Sequence, residues 1–155
     1  MARAEMLKAP RGQYTLQAAI AARHARAFRP EDTDWEAVVS LYGELARTAP
    51  SPIVELNRAV AVSMASGPQA ALDLVDQLVQ TRTLERYHLL PSVRGDLLDR
   101  LGRSAEAAVE FDRSAALATN AQERFLSEGR ARASRARAAS ATCSGPTDLM
   151  GTDGA

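Results

Sequence analysis

Several ingredients of common functional classes are nearly missing from this 155-residue chain. It carries one cysteine, Cys143, which excludes an internal disulfide and any zinc site built on cysteines. The two histidines, His24 and His88, have no cysteine near them in sequence, so no metal site is expected. Aromatic residues amount to only 5%, and strands favour aromatic and branched side chains, so a sheet is disfavoured. No apolar run approaches the roughly 18 residues that a membrane helix needs, and the N-terminus lacks the apolar core of a signal peptide. The formal net charge is +0, which gives no whole-molecule field to draw nucleic acid or an anionic membrane. A soluble, cytoplasmic chain without membrane contact is expected.

The motifs of catalysis are missing too. There is no phosphate loop, no dinucleotide-binding glycine fingerprint and no HExxH helix. A triad assembled from a serine, His88 and Asp96 lacks the strand–turn–helix setting that such a nucleophile needs. The acid pairs Glu31/Asp32 and Asp96/Asp99 are explained by a helix start and a solvated helix face. No catalytic residue, cofactor or metal is assigned, and the chain is not expected to be an enzyme.

What is present points to helices. Apolar residues make up 46% and charged residues 25%, an ordinary globular mixture. Alanine, the best helix former, is the commonest residue. Charge is unevenly placed: residues 1–29 hold six cations against Glu5, whereas residues 30–80 hold eight acids against Arg47 and Arg58. A solvated, mutually compensating surface accounts for this better than a steering field does.

Helix punctuation recurs along the chain. "YTLQAAIAARHARAF" (14–28) has Leu16, Ile20 and Phe28 at helical spacing, and Pro30 ends it. "TDWE" reads as a capping box with Thr33 as the cap and Glu36 reaching back. The next helix places Trp35, Val38, Tyr42 and Leu45 on one stripe, and Pro50 and Pro52 separate it from its successor. "IVELNRAVAVSMA" (53–65) puts Ile53, Leu56, Val60 and Met64 on one face. Gly67–Pro68 turns the chain into 69–80, with Leu72, Val75 and Val79. Helices over 87–101 and 103–117 meet at Gly102, Pro91 being tolerated near a first turn, and Asn120 with Glu123 opens a last one. Seven helices with short connections make the fold all-α, with neighbours antiparallel.

The helices also repeat. Val38, Ala71 and Ala107 occupy a small site, and Tyr42, Val75 and Phe111 a large site four residues later, both sets spaced by 33 and then 36 residues. A tetratricopeptide repeat has a period of about 34. Gly67 and Gly102 fall at the turn within a repeat, Gly95 at a close-contact position and Pro50 at a terminal proline. The expected architecture is a TPR-like run of helical hairpins over residues 13–135, forming a short right-handed superhelix. Its repeats cover about 14–50, 53–84 and 87–119, and a capping helix (120–135) closes it. Residues 1–12 read as a linker and residues 136–155, rich in Ala, Ser, Thr and Gly, as a disordered tail.

In such a superhelix the first helix of each hairpin lines a groove, and polar residues there hold a peptide or a partner helix. Gln17, Asn57, Arg58, His88 and Arg94 interrupt apolar stretches and are the candidate partner-binding residues. The competing reading is that Asn57 and His88 cap or cross-link helix ends internally. The basic cluster Arg130, Arg132, Arg135 and Arg137 lacks the interleaved aromatics of a nucleic-acid surface and reads as a solvated helix end.

Several phrases in order are more specific than a generic repeat: "YTLQAAIAARHA", "DTDW", "LYGEL", "PSPIVELNRAVAV", "GPQAALDLVDQL" and "YHLLPSVRGDLLDRLGRSAEAAVEFDRSAAL". Over about 13–135 the chain resembles the C-terminal tetratricopeptide-like extension of bacterial extracytoplasmic-function (ECF) RNA polymerase sigma factors. Arg23 and Ser114 stand where that pattern expects smaller or more apolar residues, and nothing after 135 matches it. The resemblance implies a regulatory protein-interaction domain that modulates transcription initiation. Its partners would be its own sigma regions, the RNA polymerase core or a signalling regulator. DNA would be met only through sigma regions that this chain does not contain. Two readings outside transcription remain: a freestanding TPR-type peptide-binding scaffold, and a small-molecule sensor with a pocket in the superhelix.

Overall fold

The structure is a computed structural model that describes residues 33–144. The expected linker at 1–12, the helix at 14–28 with Gln17, and positions 145–155 of the expected tail lie outside the described residues. Among the described residues there are six helices and no strand: α1 (Trp35–Thr48), α2 (Pro52–Ser66), α3 (Pro68–Thr81), α4 (Leu89–Arg100), α5 (Ser104–Leu117) and α6 (Ala121–Cys143). The fold is all-helical over this span.

Local chemistry sets the boundaries. Asp34, not Thr33, caps α1: its side chain accepts from the Ala37 amide at 3.1 Å, while Thr33 is buried. A carboxylate one residue later reaches the same orphan amides and suits the positive helix end. Pro52 and Pro68 occupy the first turns of α2 and α3, where their missing N–H costs nothing. The single residue between these helices, Gly67, has φ +93°, a conformation that a side chain would resist. Between α4 and α5, Gly102 (φ +78°) completes a Schellman closure. The Arg103 amide donates to the Leu98 carbonyl at 2.9 Å and the Gly102 amide to that of Asp99 at 3.0 Å.

Each helix packs chiefly against its neighbours in the chain, and α2 also touches α4. The core runs through α2–α5, with Leu72, Val75, Leu97, Leu98 and Phe111 fully enclosed and Ala131 of α6 joining it. A smaller cluster joins Val38 of α1 to Ala61 of α2, flanked by Trp35 and Tyr42. The recurrent small positions Val38, Ala71 and Ala107 are each 0% exposed. They lie on α1, α3 and α5, helices of 14 residues each. Gly95 is a contact glycine: a Cβ there would stand 2.9 Å from Phe111 Cε1, so α4 and α5 approach over a missing side chain.

Two expectations need correction. Of the apolar set Ile53, Leu56, Val60 and Met64 on α2, only Leu56 is buried; Ile53, Val60 and Met64 are 45%, 39% and 44% exposed. Val54, Ala59, Ala61 and Ser63 are buried with Leu56. Val54, Ala59 and Ala61 offer a second apolar side on this helix, so periodicity alone does not decide which side is buried. The last helix also continues to Cys143 rather than ending at 135, so positions 136–143 are helix and not disordered tail. Arg137 explains part of this extension, because it reaches from this last segment to Asp99 of α4.

Candidate partner-binding groove

Three helices that are not consecutive, α2, α4 and α6, wall a groove. Its lining comprises Val60 and Ser63 from α2, Ser92, Val93, Asp96 and Leu97 from α4, and Arg130 from α6, around about 210 Å³. The corner at Ser63 is fixed by hydrogen bonds: its Oγ donates to the Val60 carbonyl at 2.6 Å, and Arg100 donates to the Ser63 carbonyl at 3.3 Å. Arg130 reaches across to Asp96 at 2.6 Å with its guanidinium 4.5 Å from the centre of the Phe111 ring. The cation thus completes the third wall and shields an aromatic edge of the core.

The wall formed by α6 is held by polar contacts. The residues it buries are Ser127, Ala131 and Ser134, at one-turn spacing, so no large apolar side chain enters the body. Ser127 Oγ pairs with Ser114 Oγ at 3.0 Å, and Ser114 Oγ donates to the His88 carbonyl at 2.9 Å. The hydroxyl at 114, unexpected for a packed site, is therefore satisfied on both sides. Ser134 Oγ donates to Asp99 at 2.7 Å, Arg137 reaches the same carboxylate, and Arg135 pairs with Asp112 of α5. Burial raises the Asp99 pKa, but the hydrogen bonds from Ser134 and Arg137 outweigh it and hold the carboxyl below its ordinary value. At the start of α6 the Thr119 hydroxyl and amide do the same for Glu123, against a smaller opposing effect of burial.

The candidate contact residues fall in different places. Asn57 is exposed on α2, one turn before Val60, and lies outside the residues that line the groove. Arg58 points elsewhere: it pairs with Glu55 at 3.7 Å and lines a separate cleft between α1 and α2 with Gly43, Glu44 and Arg47. His88 sits before α4, with its ring near Glu123 at 3.6 Å and edge-on to Tyr87. It links helix ends internally. Arg94 is also engaged within the body, donating to Asp76 of α3 at 2.8 Å and Glu110 of α5 at 2.9 Å. Burial opposes its charge, yet the bond to Asp76 and the two carboxylates hold its pKa above the usual arginine value. Glu110, 5% exposed, accepts from Arg113 as well.

Sequence reasoning missed the ionic attachment of α6. The sequence reads Asp96/Asp99 and the cluster Arg130, Arg132, Arg135 and Arg137 as two solvated sets, whereas Arg130 pairs with Asp96 and Arg137 with Asp99 across the α4–α6 seam, and Arg135 pairs with Asp112 of α5. The available signal was the pairing of a one-turn acidic motif with arginines seven residues apart beside a Ser–Ala–Ser stripe. Among the described residues no group of three or more His, Cys, Asp or Glu gathers as a metal set, and no helix is long and apolar enough to cross a membrane. A further apolar hollow of about 500 Å³ lies at Leu84, Leu90, Pro91 and Leu117, rimmed by Arg82, Glu110 and Arg113.

Comparison with known proteins adds one relative. The chain is 56% identical over 112 residues to an uncharacterized protein of Rhizobium meliloti (strain 1021). The match covers 72% of this chain and 26% of that protein, so the shared region spans about a quarter of the relative's length. No family model matches the chain, and no solved structure matches it.

Proposed function

We propose that this chain is a regulatory protein-interaction domain, a TPR-like stack of helical hairpins that modulates transcription initiation as part of an ECF sigma factor. The observation that carries the binding role is the groove walled by α2, α4 and α6, onto which α2 turns exposed Val60 beside Asn57 and Met64. Ile53, Val60 and Met64 form an exposed apolar stripe on α2, while Val54, Leu56, Ala59, Ala61 and Ser63 are buried on its other side, and a contiguous apolar stripe of this kind supports a contact surface. The matched burial of Val38, Ala71 and Ala107 and the Gly95–Phe111 contact support a repeating hairpin. The transcription role rests on the resemblance of the phrases at 50–62 and 87–103 to the sigma-factor extension. A quarter-length match within a longer relative agrees with a domain that works inside a larger polypeptide.

In this reading the domain acts in the cytoplasm by docking on its own sigma regions, on polymerase or on a regulator. A coupling of about 1–3 kcal/mol suffices for a 5–150-fold change in promoter-competent arrangement. The alternative, a freestanding peptide-binding scaffold, uses the same groove. A sigma region encoded upstream in the same reading frame decides between the two. The functional test is capture of separately expressed ECF sigma regions and of core polymerase by the 155-residue chain, with Val60→Glu and Asn57→Ala beside the wild type. Capture that weakens in both variants supports the assignment. No capture of either bait by the folded wild-type chain would sink it.

A further inference from the structure

We infer that the apolar hollow where α3 and α5 end and α4 begins binds a free α-amino acid with a large apolar side chain. This site shares no residue with the groove walled by α2, α4 and α6, and it does not rest on the partner-binding reading. Its volume of about 500 Å³ falls within the roughly 300–1,000 Å³ of small-ligand cavities. Buried Leu84 and Leu90 line it together with the more open Val79 and Leu117. One polar group stands among them. Glu110 is 5% exposed, yet Arg94 and Arg113 both donate to its Oε1, each at 2.9 Å. Oε2 accepts no hydrogen bond among the described residues. Among those residues the fully enclosed side-chain atoms without a partner are Arg58 Nε and Asp99 Oδ1. Oε2 therefore keeps an opening, and the hollow is the space that Glu110 lines. A carboxylate oxygen set among apolar walls calls for a donor.

Charge and spacing select the ligand. Arg113, exposed at the mouth, reaches Glu110 through Nη1 alone, so its other nitrogens remain as donors beside that carboxylate. An ammonium on Glu110 Oε2 and a carboxylate on Arg113 would thus be close neighbours. An α-amino acid carries those two groups on one carbon, and it lays a second dipole antiparallel to the Glu110–Arg113 pair. A purely anionic ligand leaves Oε2 unmet and is repelled by it, and a purely cationic one leaves the Arg113 donors unused. The rest of the rim favours neither sign: Arg82 and Glu85 both line the hollow, and neither has an ion pair among the described residues. Helix ends of both signs meet there too, since α3 and α5 finish at the hollow and α4 starts at it. Val79, Leu84, Leu90 and Leu117 offer no side-chain donor or acceptor, so the ligand's side chain is apolar, and the volume suits phenylalanine better than alanine.

The test uses the full chain and three probes with the same aromatic ring, titrated by isothermal calorimetry. They are phenylalanine, phenethylamine (which lacks the carboxylate) and 3-phenylpropionic acid (which lacks the amine). Phenylalanine is expected to bind about tenfold or more tightly than either analogue, because each analogue forfeits a charge-assisted hydrogen bond. Arg113→Ala should weaken phenylalanine about tenfold and leave phenethylamine nearly unchanged, while Arg94 keeps Glu110 paired. Ala116→Trp, at an exposed position in the lining, should fill the hollow and remove binding with circular dichroism unchanged. Val109→Glu, exposed on α5 outside the lining, should leave the affinity intact. No saturable binding of phenylalanine overturns the inference, as does equal affinity for either singly charged analogue. Full affinity in folded Ala116→Trp overturns it as well. The comparison of probes needs no variant, so it decides even where a substitution disturbs folding. Capture of sigma regions or polymerase is read separately, and its outcome leaves this result untouched.

Discussion

The seam between α4 and α5 and the seam between α6 and the body are both close helix contacts, made with opposite chemistry. At the first, a missing side chain at Gly95 admits the Phe111 ring, and Leu97 and Leu98 complete an apolar fill. At the second, Ser127, Ala131 and Ser134 let the helix approach, and arginine–aspartate pairs from Arg130, Arg135 and Arg137 hold it. The lesson is that small residues permit close approach without deciding what stabilises it. Apolar burial does not depend on ionisation and is not weakened by screening, whereas exposed ion pairs are screened and contribute little each. The body and the third groove wall should therefore respond differently to solution conditions.

The largest effect is expected at the apolar seam. Phe111→Ala should lower global stability by about 3–5 kcal/mol in denaturant unfolding, since it empties a fully enclosed site. A loss near 1 kcal/mol would mean that the α4–α5 seam does not carry the core. Next comes Arg94→Ala, which strands the nearly buried Glu110 with Arg113 as its remaining partner and opens the α3–α4–α5 tie. About 2–3 kcal/mol is expected, and Arg94→Ala with Glu110→Gln together should recover part of it.

Acid should separate the two seams. The Asp99 and Glu123 pKa values are lowered in the fold, so the stability they confer is present above their unfolded values of about 4 and is lost as pH falls through the folded ones. Hydrogen exchange between pH 5 and 2 should show α6 amides losing protection relative to α4–α5, and Asp99→Asn should flatten that difference. Equal loss in both seams would erase the comparison. The smallest effect belongs to Arg135–Asp112, with both side chains about half exposed. A double-mutant cycle should give roughly 0.2–1 kcal/mol at low salt and less at high salt.

Much of the helical outline was legible in the sequence, because prolines, glycines and cap residues act locally. Pro52, Pro68, Gly67, Gly102 and Asn120 stand where the structure starts or ends helices. Asn120 indeed accepts from the Glu123 amide at 2.8 Å. The cap at Asp34 was off by one residue because Thr33 and Asp34 compete for the same amides. The polar candidates were less legible. Arg94 and His88 interrupt apolar stretches in the same way as Asn57 does, yet the first two face partners within the body and the third faces water. A single sequence does not distinguish a cross-link from a contact residue, since both put a polar group on a mostly apolar helix.

What the sequence determined by itself is therefore the local layer: alanine-rich helices, their boundaries, and the recurrent small positions that came to lie at zero exposure. These follow from backbone geometry and short-range hydrogen bonds, which neighbours along the chain supply. The tertiary structure alone decided which side of α2 faces water, which carboxylates meet the α6 arginines, and that the last helix persists to Cys143. Those outcomes depend on residues tens of positions apart competing for the same surface. Only the packed arrangement of α2, α4 and α6 turned scattered valines, serines and an arginine into one groove.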